Sequence, residues 1–153
     1  GVLPDMIKTR LSNGEVGGYC KFPEDTGLSD REYYMNYIAV AMAGYAGEFM
    51  RKGFNNISVG CSSDILTATS LAASLVKVLG LGSHLSASGF SMSRDALVTH
   101  NKEMISEEVD DLIGEGLFLA FNCLDFYDKE HRELTKILMK QPTTRPKDIK
   151  HLF

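Results

Sequence analysis

Between Gly53 and Val76 the sequence carries one charged residue, Asp64. Continued to Leu79, the same stretch sets Ile65, Leu66, Ala68, Leu71, Ala72, Leu75, Val76 and Leu79 around most sides of a helix. A helix apolar most of the way round is stable only when other elements cover it. The spacing therefore predicts a central, buried helix. It opens at Ser63-Asp64, where a hydroxyl and a carboxylate suit the positive helix end. It closes at Gly80, the residue type that accepts the left-handed turn on which helices commonly stop.

The flanking segments read as the cover. Ser29-Asp30-Arg31-Glu32 has the form of a capping box, in which serine and the glutamate three residues on satisfy orphan amides at a helix start. Tyr33, Tyr37, Val40, Ala41, Gly44 and Glu48 then follow at helical spacing until Gly53. Downstream, Ser106-Glu107-Glu108 opens a third long helix with acidic residues at its positive end. It continues through Phe126, with Lys140 as its furthest extent before Pro142, and residues 147–153 form a last short helical turn. Gly114 and Gly116 lie inside it, each costing about 1 kcal/mol relative to alanine. Residues 81–101 are rich in Gly and Ser and read as a mobile surface loop. At the other end, Asn13-Gly14 sits between two short runs, Met6–Leu11 and Val16–Phe22. Asn-Gly tolerates the positive φ of a tight turn, so these runs are expected to pair as a hairpin, the only convincing strands.

The expected fold is mainly α, an α+β helical domain with an N-terminal β-hairpin. All 153 residues are assigned to one domain: hairpin and loop over 1–28, two helices over 29–80 with Asp64 between them, the loop over 81–101 and C-terminal helices over 102–153. Sixteen Lys and Arg against twenty Asp and Glu give a formal charge of −4, and no basic cluster stands out. Nucleic acid is therefore not expected as a partner. No apolar run is read as approaching the roughly 20 residues of a bilayer span, so the chain itself is read as soluble. Cys20, Cys61 and Cys123 are odd in number, widely spaced and without a C-x-x-C pattern, as expected of reduced thiols.

Complete catalytic motifs are absent. His84, His100, His131 and His151 include no pair three or four residues apart, so none makes the helical pair that chelates zinc. Two readings of Asp64 stand side by side: a helix-start aspartate stabilised by about 0.3–1 kcal/mol through the macrodipole, or a metal ligand held at the mouth of a loop. Two readings also stand for Gly17-Gly18, a bulge in a structural hairpin or a place where another backbone approaches closely. Tyr33, Tyr34 and Tyr37 are read as core or subunit interface.

The run Met42-Ala43-Gly44-Tyr45-Ala46-Gly47-Glu48, a variable loop, and Gly60-Cys61-Ser62-Ser63-Asp64-Ile65-Leu66-Thr67-Ala68-Thr69 resemble the peptidase domain of FtsH-type AAA+ zinc metalloproteases. That family reads approximately L-G-G-R-A-A-E-E and T-G-A-S-N-D-L-x-x-A-T in these places. Gly17-Gly18-Tyr19 with Pro23-Glu24-Asp25, and Ile105-Ser106-Glu107-Glu108-Val109 with Leu134, Ile137 and Leu138, agree with it in order along nearly the whole chain.

The resemblance implies a zinc endopeptidase in which a helix bearing H-E-x-x-H gives two ligands and the general-base glutamate, and Asp64 matches the third ligand. It further implies that Gly17, Gly18, Tyr19 and Cys20 form a strand edge that binds substrate by β-addition. The implied parent carries an ATP-binding AAA+ module, assembles as a homo-hexamer, and degrades unfolded or damaged proteins. It is anchored in a membrane through segments outside this chain, with this soluble domain on the cytoplasmic or organelle-matrix side. H-E-x-x-H does not occur in these 153 residues, and the sequence begins at Gly1 without Met. The chain is thus expected to be a piece of that parent, to hold no catalytic residue, and to be inactive by itself. Tyr45, Gly47, Phe49 and Ser63 depart from the family pattern, which motivates an alternative: a pseudo-peptidase serving as scaffold or assembly subunit of an AAA+ ring.

Overall fold

The computed structural model describes residues 4–9, 19–21, 30–83 and 95–152, with side chains of the last stretch from Met104 onward. The elements are β1 (Met6–Lys8), β2 (Tyr19–Lys21), α1 (Arg31–Lys52), α2 (Ser62–Ser74), α3 (Asp95–Phe126), α4 (Asp128–Lys140), β3 (Thr143–Thr144) and α5 (Pro146–Ile149). The fold is mainly α, as expected. Two compact units are distinguished, Leu28–Asp125 on the one hand and Gly1–Gly27 with Phe126–Phe153 on the other.

In the helical unit, Asp30 rather than Ser29 caps α1. Its Oδ1 accepts the Tyr33 amide at 2.9 Å, so the cap lies one residue later than anticipated and Tyr33, not Glu32, stands three residues on; Ser29 itself lies outside the described residues. Gly53, at φ 74°, ends the helix and donates its N–H to Phe49 O at 2.9 Å. The buried side of α1 is Met35, Ile38, Met42 and Ala46, not the Tyr37 and Val40 line, which is 50% and 57% exposed. Short 3-10 turns at Phe54–Asn56 and Val59–Cys61 lead into α2.

The expectation of a fully buried second helix is corrected. Ala68 and Ala72 face the core, while Leu66 on the opposite side is 68% exposed. The hydroxyls of Thr67, Thr69, Ser70 and Ser74 bond back to the carbonyls four residues earlier at 2.8–2.9 Å. That self-satisfaction lets the outer face stand in water without free donors pulling the helix apart. At Leu75–Leu79 the helix widens into a π turn, burying Leu75 and Val76, and Gly80 at φ 63° stops it as expected. Val59–Leu79 is long and apolar enough to cross a membrane by length and composition, with mean hydropathy 1.3 over its best window. The sequence reading that no run approaches a span is corrected accordingly. Ser and Thr break the run to the eye, yet the turns and helices join into one helical stretch whose inner residues are core here.

α3 begins at Asp95, so residues 95–101, assigned to the loop from sequence, are helical. No Gly or Pro lies between Asp95 and Ile113 to stop the helix from extending back past Ser106. Residues 84–94 of that loop lie outside the described residues. Val109 and Leu112 of α3 join Met35, Ile38, Met42, Ala68, Ala72, Leu75 and Val76 in one core. Gly116 lies against Ile38, where an added Cβ would come within 2.5 Å of Ile38 Cγ2. Arg31 and Glu115 add a half-exposed ion pair at 3.1 Å between α1 and α3.

In the other unit, β1 pairs antiparallel with β2 in the register Met6↔Lys21, Ile7↔Cys20 and Lys8↔Tyr19. The hairpin is therefore as expected, its Asn-Gly turn lying outside the described residues. A third strand, β3, was not anticipated. It pairs antiparallel with β1, giving the order β2-β1-β3. Two residues are too few to show an alternating pattern, and Pro142 and Pro146 around them read as punctuation. The single helix expected from Ser106 toward Lys140 breaks at Tyr127, and Asp128 and Glu130 start α4 afresh. Pro146 opens α5, and a 3-10 turn at Lys150–Leu152 completes the short terminal helix expected there.

Candidate functional site

The site is built on two adjoining turns of α1 and the segment that climbs from Gly53 into α2. That segment has little regular structure of its own, so its backbone polar groups must be met from elsewhere. Asn56 Nδ2 donates to Lys52 O at 2.9 Å. Glu48 meets Ser58 twice: the Ser58 amide donates to Oε2 at 2.7 Å and the Ser58 hydroxyl to Oε1 at 2.8 Å. The same hydroxyl oxygen accepts the Gly60 amide at 3.3 Å, and the Ser58 carbonyl accepts the Cys61 thiol at 3.3 Å. These bonds draw the Glu48 carboxyl below the usual carboxylate range, the Ser58 amide first, with Lys52 at 3.6 Å adding to it.

Asp64 stands in the first turn of α2, exposed. Its Oδ2 lies over the bare Cα of Gly44, 3.6 Å from where a Cβ would be. An exposed carboxylate oxygen is an acceptable zinc donor. Asp64 thus fits as one ligand. Among the described residues no group of three or more His, Cys, Asp or Glu side chains could hold a metal ion. Thr67 and Leu71, three and seven residues on from Asp64, belong to a shallow open groove of about 370 Å³ completed by Leu66, Ser70 and Ser74.

The second set of expected residues belongs to β2. Tyr19 and Cys20 are exposed on an edge strand of the sheet, paired with β1 on one side only among the described residues. Lys8 Nζ stands 5.9 Å over the Tyr19 ring. Partial desolvation raises the Cys20 thiol above its usual value. Gly17 and Gly18 lie outside the described residues.

Sequence reading missed Glu48 and Ser58 as a pair. Glu48 was visible only as a member of the helical line of α1 and of the family-like run that ends on it, and Ser58 only as part of a variable loop. Nothing in their spacing joins a helix residue to a loop residue ten positions on. At Tyr45, where the resemblance expects arginine, the ring stacks on Phe49 with centroids 6.4 Å apart, and Phe49 meets Phe121 edge-on at 5.4 Å.

Comparison with known proteins follows the same lines. The profile of peptidase family M41 matches residues 9–152. The chain is 26% identical over 150 residues to the ATP-dependent zinc metalloprotease YME1 homolog of Schistosoma mansoni, covering 96% of this chain and 23% of that protein. It is 32% identical over 114 residues to ATP-dependent zinc metalloprotease FtsH 3 of Sphaerobacter thermophilus, covering 73% and 23%. With ATP-dependent zinc metalloprotease YME1L1 of Mus musculus it shares 29% over 149 residues, 96% and 21%. The chain spans about a fifth of the length of the curated relatives it matches.

Proposed function

This chain belongs to peptidase family M41, and from that premise we propose that it is part of an ATP-dependent zinc metalloendopeptidase that degrades unfolded or damaged proteins. The observation that carries the reading is the exposed Asp64 carboxylate at the head of α2, over Gly44. Asp64 serves as one protein ligand of a zinc ion whose other ligands lie outside these residues, since H-E-x-x-H is not among them. When bound, zinc supplies a Lewis acid and brings the pKa of a water towards about 7. The contribution of this chain is to aim the carboxylate and to hold the substrate. Main-chain groups on the edge of β2, unpaired among the described residues, accept an extended peptide by β-addition, with no demand for a particular sequence. Tyr19 and Cys20 lie on that edge, and the family resemblance adds Gly17 and Gly18, which precede them in the sequence.

Within this reading, residues 1–153 form the C-terminal portion of one peptidase domain; the family match over 9–152 supports membership of that peptidase family along the chain. The names of the relatives support zinc and ATP dependence for the longer protein. An ATPase module, a homo-hexameric ring and a membrane anchor belong to that longer protein, with this portion on the cytoplasmic or matrix side. Replacing Asp64 by Ala in the full-length protein is expected to abolish both zinc retention and degradation of an unfolded reporter such as casein. Unchanged zinc and an unchanged rate would overturn the reading.

Tyr45, Gly47, Phe49 and Ser63 favour a second reading, because an aromatic stack occupies the place of the family arginine. In it the domain is a scaffold of an AAA+ ring without peptidase activity. A full-length protein that assembles but binds no zinc, with or without Asp64, is the outcome that selects it.

A further inference from the structure

We propose that the outward face of the sheet beside the β2 edge selects extended segments that carry a carboxylate at every second position, with Lys21 and Lys8 as the residues that read them. The proposal rests on the reading of β2 as the edge that accepts an extended peptide. Main-chain hydrogen bonds along such an edge are indifferent to sequence, so a preference has to come from the side chains that flank the added strand.

The register decides which side chains those are. Residues directly opposite one another share a face, and faces alternate along each strand. Ile7, Cys20 and Thr144 therefore lie on one face, and Thr144, fully buried, marks it as the side turned to the core of this unit. Met6, Lys8, Tyr19, Lys21 and Thr143 lie on the other. Next to the open edge this outward face consists of Tyr19 and Lys21, both exposed. Lys8 is one strand further in, yet its Nζ stands 5.9 Å over the Tyr19 ring, so its charge is carried towards β2.

Charge sets the preference. Lys8 and Lys21 are diagonal neighbours across the β1–β2 pair, a position in which Cβ atoms stand about 7–8 Å apart. Neither lysine has an ion-pair partner among the described residues. Two cations left together on one face favour an anionic neighbour. A strand added at β2 lies about 4.8 Å from it, and only every second side chain of that strand projects onto this face. Carboxylates at those positions meet Lys21 directly and Lys8 across the Tyr19 ring, while the intervening side chains stand beside Cys20. Arg145 shares the face as the extended residue after β3, at φ −117° and ψ 166°. It is three strand spacings from an added strand, about 14 Å, which exceeds the screening length of about 8 Å at physiological salt. Arg145 is therefore a control on the same face.

The test uses the full-length protein and fluorescent peptides that carry valine at one set of alternate positions and either glutamate or glutamine at the other. Binding is read by anisotropy after rapid mixing, ahead of cleavage. An exposed ion pair contributes up to about fivefold, so the glutamate peptide is expected to bind about three- to tenfold tighter than the glutamine peptide at low salt, the ratio shrinking towards one as salt screens it. Lys21→Gln and Lys8→Gln each lower the ratio and together remove it, Lys21→Arg keeps it, and Arg145→Gln leaves it unchanged. A fully N-methylated glutamine peptide, which cannot donate to the edge, separates the two readings. If it binds as well as the unmethylated one, the edge reading fails and the proposal with it. If methylation abolishes binding while the glutamate and glutamine peptides bind alike, selection by charge is overturned and the edge reading stands. A ratio that survives the double lysine variant, or that Arg145→Gln reduces as much as Lys21→Gln does, also overturns the proposal. So does binding of inorganic polyphosphate at these lysines tighter than that of the glutamate peptide, which would assign the face to a polyanion.

Discussion

Gly114 and Gly116 are two residues apart on one helix, and their replacement by alanine should move stability in opposite directions. Alanine in a helix interior is worth about 1 kcal/mol over glycine at either position. At Gly114 nothing lies within 4 Å of the new Cβ, and the site is exposed. Gly114→Ala should therefore stabilise by about 0.5–1 kcal/mol. At Gly116 the new Cβ would lie 2.5 Å from Ile38 Cγ2 and 3.3 Å from both Ile38 Cβ and the Ala39 amide nitrogen. Carbon atoms in contact prefer about 3.5–4.0 Å. Ile38 is fully buried and branched at Cβ, so its methyl cannot swing away without displacing the core. Overpacking of this kind costs about 1–3 kcal/mol, which offsets the propensity gain of about 1 kcal/mol and leaves Gly116→Ala up to about 2 kcal/mol less stable. For a chain of this length each kcal/mol corresponds to about 2–4 °C in Tm. Thermal melts of the two variants should separate by up to about 12 °C, Gly114→Ala above the parent protein and Gly116→Ala below it. Ile38→Leu, which moves the branch off Cβ, should recover part of the loss in a double-mutant cycle. If Gly116→Ala raises Tm as much as Gly114→Ala, α1 and α3 do not cross as closely as described.

Further outcomes follow from other buried or bonded groups. Thr144 is fully buried and its Oγ1 has no hydrogen-bond partner among the described residues, so Thr144→Val should raise stability to denaturant by about 1 kcal/mol; a fall would mean that the hydroxyl is bonded in solution. Because Ser58 and Lys52 lower the Glu48 carboxyl, its contribution is present above the unfolded carboxylate pKa and lost as pH falls through the folded one. The Ser58 amide should accordingly titrate by NMR below the usual carboxylate range, and a transition at or above that range would show the bond to be open. Cys123 is exposed and Cys61 buried, so a thiol reagent should modify Cys123 in the native protein and Cys61 only on unfolding. Cys20, with its raised thiol pKa, should react more slowly than Cys123 at neutral pH; equal rates would contradict that shift.

Much of the helical frame was legible because terminators act locally. Gly53 and Gly80 stop their helices at positive φ where their positions in the pattern required it. Helix starts were less legible, since Ser29 and Asp30 are both good caps and only the Asp30 bond to Tyr33 decides between them. Burial was harder still. The serines and threonines of α2 look polar in sequence, and their bonding to the helix's own carbonyls emerges only in three dimensions. Asp64 could be singled out because it is alone in an uncharged stretch. Glu48 could not, since its partner Ser58 is reached only once the chain has turned back past Gly53. Gly114 and Gly116 carried the same propensity penalty in sequence, and only the Ile38 methyl distinguishes them.

The order β2-β1-β3 has a kinetic consequence. β1 finds β2 across a short hairpin, but its other edge must wait for Thr143–Thr144, and the bond from the Thr9 side chain to Pro142 O spans 133 positions. Closing a loop of that length is entropically dearer than closing the hairpin, and contacts so distant in sequence form slowly. During synthesis the three helices of the core can assemble while one edge of β1 is still bare. The sheet is complete only after almost all of these residues have emerged, and until then the β1 edge that β3 later covers is open to other strands.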